Sequence, residues 1–218
     1  MTLDIIYEDS DMVAINKPPG VLFDWALAAR PELFVVHRLD KDTSGIILFA
    51  KNEKAADVLK NMFLKREILK TYRALVVGDM KKDRGVIDLP IGRSAKAPLR
   101  RVAVGKQRGM LRESVTEYKT LRRFGKYTYV EVYPRTGRTH QIRSHFAAIG
   151  HPLACDRLYA GKRFICPRGL GRHFLHAAAV ELTLPTSLSG GSFGGRVRLE
   201  AGIASDLAIV LEKLSIFS

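Results

Sequence analysis

Nine consecutive residues, His37-Arg38-Leu39-Asp40-Lys41-Asp42-Thr43-Ser44-Gly45, hold an imidazole, a guanidinium and two carboxylates directly ahead of the apolar run Gly45 to Ala50. Asp42, Thr43 and Ser44 favour a turn, and Gly45 permits backbone conformations that other residues resist. A capped turn therefore accounts for the tail of the segment. It does not account for Arg38 and Asp40 standing together before a core strand, a pattern that fits both a catalytic acid and a structural ion pair.

Other local motifs lack the context their chemistry needs. Gly190-Gly191-Ser192-Phe193-Gly194 matches the GxSxG pattern of serine hydrolases, but it lies in a glycine-rich loop between two hairpin-like strands instead of between a strand and a helix, and all six histidines precede it. Gly169-Leu170-Gly171 starts a dinucleotide fingerprint that Phe174 breaks, and no phosphate-binding GxxxxGK[ST] loop occurs. His140 and His145 are five apart and point to different faces of a helix, which disfavours joint metal ligation. Cys155 and Cys166 have no second Cys or His pair to complete a zinc site, and read as two free thiols in a reducing, cytoplasmic compartment. No metal or cofactor is expected.

The elements that must position these groups are mostly strands. Leu3 to Tyr7 and Met12 to Asn16 flank the acidic turn Glu8 to Asp11 as a hairpin, and Lys17-Pro18-Pro19-Gly20 stops it. Gly45 to Ala50 is a buried strand. Asn52 caps a helix whose apolar face holds Ala55, Val58, Leu59, Met62 and Phe63. Alternation over Thr71 to Val77 places Tyr72, Ala74 and Val76 on one side of a strand. Arg93 to Arg112 reads as an irregular arm or ragged hairpin. Val115 to Leu121 and Tyr127 to Tyr133 form a strand pair, His140 to Ile149 a helix, Phe174 to Leu184 and Arg196 to Glu200 strands around a Ser/Gly loop at Ser187 to Gly195, and Asp206 to Leu214 a closing helix. Strands that are not interleaved with helices predict an α+β fold with a mainly antiparallel sheet. Residues 1–218 are expected to form a single domain, with no linker-bound module.

Charge narrows the partner. Of 218 residues, 46% are apolar and 27% charged, an ordinary globular composition, and the net charge is +14. The whole excess lies between Arg93 and Arg172, which hold 19 basic and 4 acidic residues; the flanking segments are nearly balanced. So one-sided a stretch is an electrostatic footprint for phosphates. Lys96, Arg100, Arg101, Lys106, Arg108 and Arg112 are the candidates for contact with those phosphates. No apolar run approaches the length of a membrane span.

HRLDKDTSG resembles the HRLDxxTSG signature of the RluA-type pseudouridine synthases. The likeness extends over IIYEDSDMVAINKPPGVL, which looks like that family's opening hairpin, and over Lys70-Thr71-Tyr72-Arg73-Ala74, similar to its KxYxA segment. Residues Thr136 to Arg143 (TGRTHQIR) resemble its TGRxHQ(I/L)R segment and Leu175-His176-Ala177 its late LHA element. The order of these matches carries the resemblance.

The resemblance implies isomerisation of uridine to pseudouridine in RNA, on an antiparallel-sheet fold of two halves flanking an active-site cleft, without cofactor or metal. It implies that Asp40 initiates cleavage of the glycosidic bond, by attack at C1′ or by removal of the ribose 2′ proton. Tyr72 would lie against the target base, Arg143 would pair with Asp40, and Arg38 would fill the place of the everted uridine. Arg138 and His140 would add RNA contacts. The expected partner is a stem-loop of ribosomal or transfer RNA, met by a monomer with no membrane and no obligate protein partner. In departure from that family's pattern, no S4-like RNA-binding module is expected ahead of the hairpin, and one loop is expected to be trimmed, since only sixteen residues separate Gly20 from His37. A noncatalytic RNA-binding or ribosome-assembly factor and a basic hydrolase are the competing readings.

Overall fold

Asp9 shows how the chain starts its first turn: its Oδ1 accepts the N–H groups of Asp11 and Met12, both at 2.8 Å, and reverses the chain into a hairpin. The computed structural model describes residues 2–95, 100–105, 107–183 and 195–216. Its first elements are β1 (Ile5–Glu8), β2 (Met12–Lys17), β3 (Phe34–Val35), β4 (Ser44–Ala50) and α1 (Glu53–Lys65). Next come β5 (Leu69–Val77), β6 (Arg84–Asp88), β7 (Ile91–Ser94), β8 (Arg101–Val102), β9 (Gln107–Arg112), β10 (Val115–Arg123) and β11 (Tyr127–Pro134). The last are α2 (Gln141–Ala148), β12 (Leu175–Thr183), β13 (Arg196–Glu200) and α3 (Ser205–Ile216). The architecture is α+β with mainly antiparallel pairing, as the strand-rich pattern predicts.

The contacts divide the chain into two units, one of Met1–Lys70 with Ala177–Ala204 and the other of Thr71–His176 with Ser205–Ser218. In the first unit β1 pairs with β2, β2 and β3 with β4, and β12 with β13, all antiparallel. Every residue of β4 is buried, as suits a central strand covered on both faces. Gly45, the second residue of β4, has φ +106°, and a Cβ there would overlap the Ala177 backbone of β12. That approach reserves the last position of the HRLDKDTSG segment for glycine. Asn52 accepts the Ala55 N–H and starts α1, and Arg66, left-handed at φ 63°, ends it.

In the second unit the strand order is β5-β11-β10-β6, again antiparallel. Ala74, Val76, Ile87, Tyr118, Val130, Val132, Ile142 and Phe146 form its core, with the Tyr118 and Phe146 rings 5.6 Å apart. The basic segment that reads as a ragged hairpin folds as a separate three-stranded sheet in the order β8-β7-β9. Lys96 and Lys106 lie outside the described residues, as does residue range 184–194 of the Ser/Gly loop.

The cysteines correct the sequence reading. Cys155 and Cys166 are joined in a disulfide, with Cα atoms 4.2 Å apart, rather than standing as free thiols. The chain doubles back between them: Cys155 takes a left-handed turn at φ 62°, and its N–H donates to the Ile165 carbonyl at 2.9 Å. That reversal is tertiary, so the ten-residue spacing carried no sign of it. Bonded to each other, the two cysteines give no sign of a reducing compartment.

Candidate active site

In the first unit, alternate residues of the His37–Asp40 loop are fixed to the core. The His37 ring stacks on Phe63 of α1 with centroids 4.4 Å apart, and its Nε2 accepts the Leu48 N–H at 2.9 Å. Nδ1 therefore carries the proton of the neutral ring. Burial first, and the Lys70 charge second, push the His37 pKa down to about 3. Lys70 itself is pulled down to about 8 by burial and by Arg66. Leu39 is buried. Between these anchors Arg38 stays exposed, its guanidinium carbon 5.3 Å from the centre of the Phe23 ring, and Asp40 is half-buried.

A buried lysine sets the backbone beside Asp40. Lys17 is wholly inaccessible to solvent, and its Nζ donates to the carbonyls of Pro18, Val21 and Lys41 at 2.9, 3.0 and 2.9 Å. An ammonium survives burial only when its protons are bonded in this way. The Gly20 N–H also donates to the Lys41 carbonyl at 3.0 Å, and the Thr43 N–H to the Asp40 carbonyl at 3.1 Å. Lys17-Pro18-Pro19-Gly20, legible in the sequence only as a strand breaker, is thus the brace of the Asp40 turn.

The neutrality of His37 has a consequence for acid stability. Between pH 6.5 and 3 the unfolded chain binds a proton that the folded ring refuses, so stability falls as the pH drops through that window. Replacing His37 by Gln is expected to remove about 2 kcal/mol of the loss between pH 7 and pH 5. Urea midpoints of the two proteins at both pH values measure it, and parallel shifts would contradict the assignment.

In the second unit Tyr72 packs against the Ala74 and Val76 side of the core, the side that alternation assigns it, opposite Val132 on β11. The Thr136–Arg143 segment folds on itself. Gln141 Oε1 accepts the Thr136 hydroxyl at 2.6 Å and the Arg138 N–H at 3.0 Å, while Nε2 donates to the Val115 carbonyl and to the Thr116 hydroxyl oxygen. Arg138 Nε donates to the Glu113 carbonyl at 3.2 Å. His140 holds φ 56° at the start of α2, and its Nδ1 lies 3.0 Å from the Tyr159 hydroxyl. His145, wholly buried, donates through Nε2 to the Leu89 carbonyl and accepts the Thr116 hydroxyl on Nδ1, a structural role.

Arg143 is clamped by a residue the sequence reading does not single out. Its Nε donates to Asp156 Oδ2 at 2.7 Å and its Nη2 to Oδ1 at 2.9 Å, and both side chains are nearly inaccessible. Burial pushes the Asp156 carboxyl up, but the hydrogen bonds and charge of Arg143, with help from His173 and the Leu158 N–H, hold it below the ordinary carboxylate range. Asp156 is thirteen residues from Arg143 across a loop. Its one visible signal was being the single acid between Glu131 and Glu181.

The basic sheet has an order that composition could not reveal. Arg93 on β7 stands opposite Arg101 on β8 and opposite Arg108 on β9. Directly opposed residues share a face, so three guanidinium groups form a row, an arrangement that repels itself unless an anion lies across it. Arg93 and Arg108 are exposed and have no acid partner among the described residues. Arg112 lies opposite Ile91 on the same pair of strands. Arg93 was missed because only the register brings it into the row. Changing Arg93 to Glu is expected to weaken the binding of any nucleic acid seated on this row about tenfold at moderate salt and to flatten the dependence of log Kd on log salt by about one to two charges. An unchanged slope in filter binding would remove the row from the interface.

The chain matches, over residues 11–148, the family described as RNA pseudouridylate synthase. It is 38% identical to ribosomal large subunit pseudouridine synthase C of Vibrio vulnificus, over 84% of this chain and 62% of the relative. It is 36% identical to ribosomal large subunit pseudouridine synthase D of Neisseria meningitidis, over 95% and 64%. An uncharacterized RNA pseudouridine synthase of Bacillus subtilis is 35% identical over 98% and 73%. The chain thus spans roughly two thirds of the length of these relatives. Among solved structures it is similar to human RNA pseudouridylate synthase domain containing 1, with a TM-score of 0.73 and 26% identity over 98% of this chain and 95% of that one. Human RNA pseudouridylate synthase domain containing 4 shares the fold at a TM-score of 0.75.

Proposed function

Since the chain belongs to the RNA pseudouridylate synthase family, we propose that it converts a uridine of structured RNA to pseudouridine, with Asp40 as the essential carboxylate. The observation that carries this reading is the braced turn: Lys17, His37 and Leu39 fix the backbone on both sides of Asp40 while its own side chain stays half-buried. A carboxylate that starts a reaction must be held this closely.

In the isomerisation the N1 to C1′ bond breaks, the uracil turns, and C5 bonds to C1′, so the nucleoside keeps its atoms. One ionised carboxylate suffices to begin it, by either of the two first steps open to Asp40. Arg143 supplies a cation that does not deprotonate, and Asp156 keeps it oriented. Tyr72 supports the base and stands ready to relay the proton that C5 must lose. Eversion of the target costs a few kcal/mol. Arg38, already stacked on Phe23, is suited to fill the vacated place in the RNA stack. Arg93, Arg100, Arg101, Arg108 and Arg112 supply affinity that does not depend on sequence.

Ribosomal RNA is the preferred substrate, on the names of the Vibrio and Neisseria relatives, with transfer RNA as the alternative. The simplest form of the enzyme is a monomer, with the cytoplasm proposed for it from its RNA substrate and not from its cysteines; among the described residues no helix is long and apolar enough to cross a membrane. The test uses transcripts of large-subunit ribosomal RNA and of transfer RNAs carrying tritium at uridine C5. Isomerisation releases the label to water. A protein that binds both RNAs and releases none is the noncatalytic binder.

A further inference from the structure

Tyr159 stands where the basic sheet meets the arginine held by Asp156. Two guanidinium groups lie over its ring, that of Arg100 at 5.2 Å and that of Arg143 at 5.0 Å from the centroid. Its hydroxyl accepts the Arg101 backbone N–H at 2.9 Å and lies 3.0 Å from His140 Nδ1. Asp156 Oδ1 accepts the Tyr159 N–H at 3.2 Å as well as the Arg143 Nη2 proton, so one carboxylate fixes both the aromatic and the cation over it. Tyr159 is itself buried.

Asp156 balances the Arg143 charge, whereas Arg100 over the same ring has no acid partner among the described residues, and an aromatic face offers a cation only part of what an anion would. Arg100 adds a second sign of incompleteness. Its Nε is buried yet finds no acceptor among the described residues. Buried donors are nearly always bonded, and a charged one gains most from an anionic acceptor. Arg100 also adjoins Arg101, the β8 member of the arginine row. An anion at this corner satisfies the orphaned donor and balances the Arg100 charge at once, and the polyanion at hand is the RNA backbone.

We propose that Tyr159 is a positioning residue that couples a phosphodiester subsite at Arg100 to the orientation of Arg143. The inference rests on the isomerase reading for its effect on turnover. In the coupled site a phosphate seated on Arg100 tightens the stack on Tyr159, and the same ring then holds Arg143 in its working pose. RNA that fails to reach the Arg100 corner leaves Arg143 less firmly placed. The basic sheet thereby contributes to the reaction rate as well as to affinity.

The test combines Tyr159→Leu, Tyr159→Phe and Arg100→Gln, each assayed with a tritiated large-subunit ribosomal RNA transcript. Tyr159→Leu removes the ring and is expected to lower the single-turnover rate about a hundredfold per folded molecule, the scale of a small misplacement near reacting atoms. Tyr159→Phe keeps the ring and is expected to return the rate to within about fivefold of the parent. Arg100→Gln is expected to weaken binding about tenfold in the parent and less than threefold in the Tyr159→Leu background. Thermal melts and circular dichroism give the folded fraction. A Tyr159→Leu rate that matches the parent once corrected for folded protein overturns the proposal, and so do additive losses of affinity. Filter binding reads the coupling without turnover, so a parent protein that releases no tritium sinks the isomerase reading while the affinity cycle still decides the subsite.

Discussion

Asp40→Asn is expected to abolish tritium release, by more than about a thousandfold, while the affinity for RNA changes less than about twofold. The substitution preserves the size of the side chain and removes only the charge and basicity. The three carbonyls held by Lys17, the Leu48 N–H held by His37 and the burial of Leu39 all remain in the variant, so the turn should persist. Single-turnover release with enzyme in excess separates a lost chemical step from weakened binding. Full turnover by the amide would remove Asp40 from the reaction.

Asp156→Ala is expected to cost about 3–5 kcal/mol, because it leaves the nearly inaccessible Arg143 guanidinium without its bidentate partner. It also strips an acceptor from the Leu158 and Tyr159 N–H groups. For a chain of this size the melting temperature should fall by roughly 10 °C. The pH dependence fixes the cause. The folded carboxyl lies below its ordinary value, so its contribution is complete above the ordinary carboxylate range and drains away as the pH falls through the depressed value. The stability gap between parent and variant should therefore narrow in acid. A gap that is small at neutral pH, or that stays constant into acid, contradicts the clamp.

Much of this molecule could be read from spacing. The period-two pattern that put Tyr72, Ala74 and Val76 on one side is the pattern of the second unit's core, because strand alternation is a local property of the backbone. Asn52 capped its helix for the same local reason. What stayed hidden was tertiary. Asp156 meets Arg143 across a loop, Tyr159 gathers two arginines from distant segments, and Arg93 joins a row only through the registers of two neighbouring strands. The disulfide was hidden by the same kind of chain reversal. Lys17 is the instructive case between the two: its motif was visible, but a lysine bonded to three carbonyls can be recognised only once the carbonyls are in place.

The division of the chain at Lys70, His176 and Ala204 means that the polypeptide passes between the units three times, twice within a strand. Neither half can then be cloned as one uninterrupted piece of gene. A truncated product ending at position 70 would carry the Asp40 turn but lack the strand whose backbone presses on Gly45. Dissection of this protein calls for circular permutation or co-expressed fragments, and a frameshift late in the gene would disable the turn near its beginning.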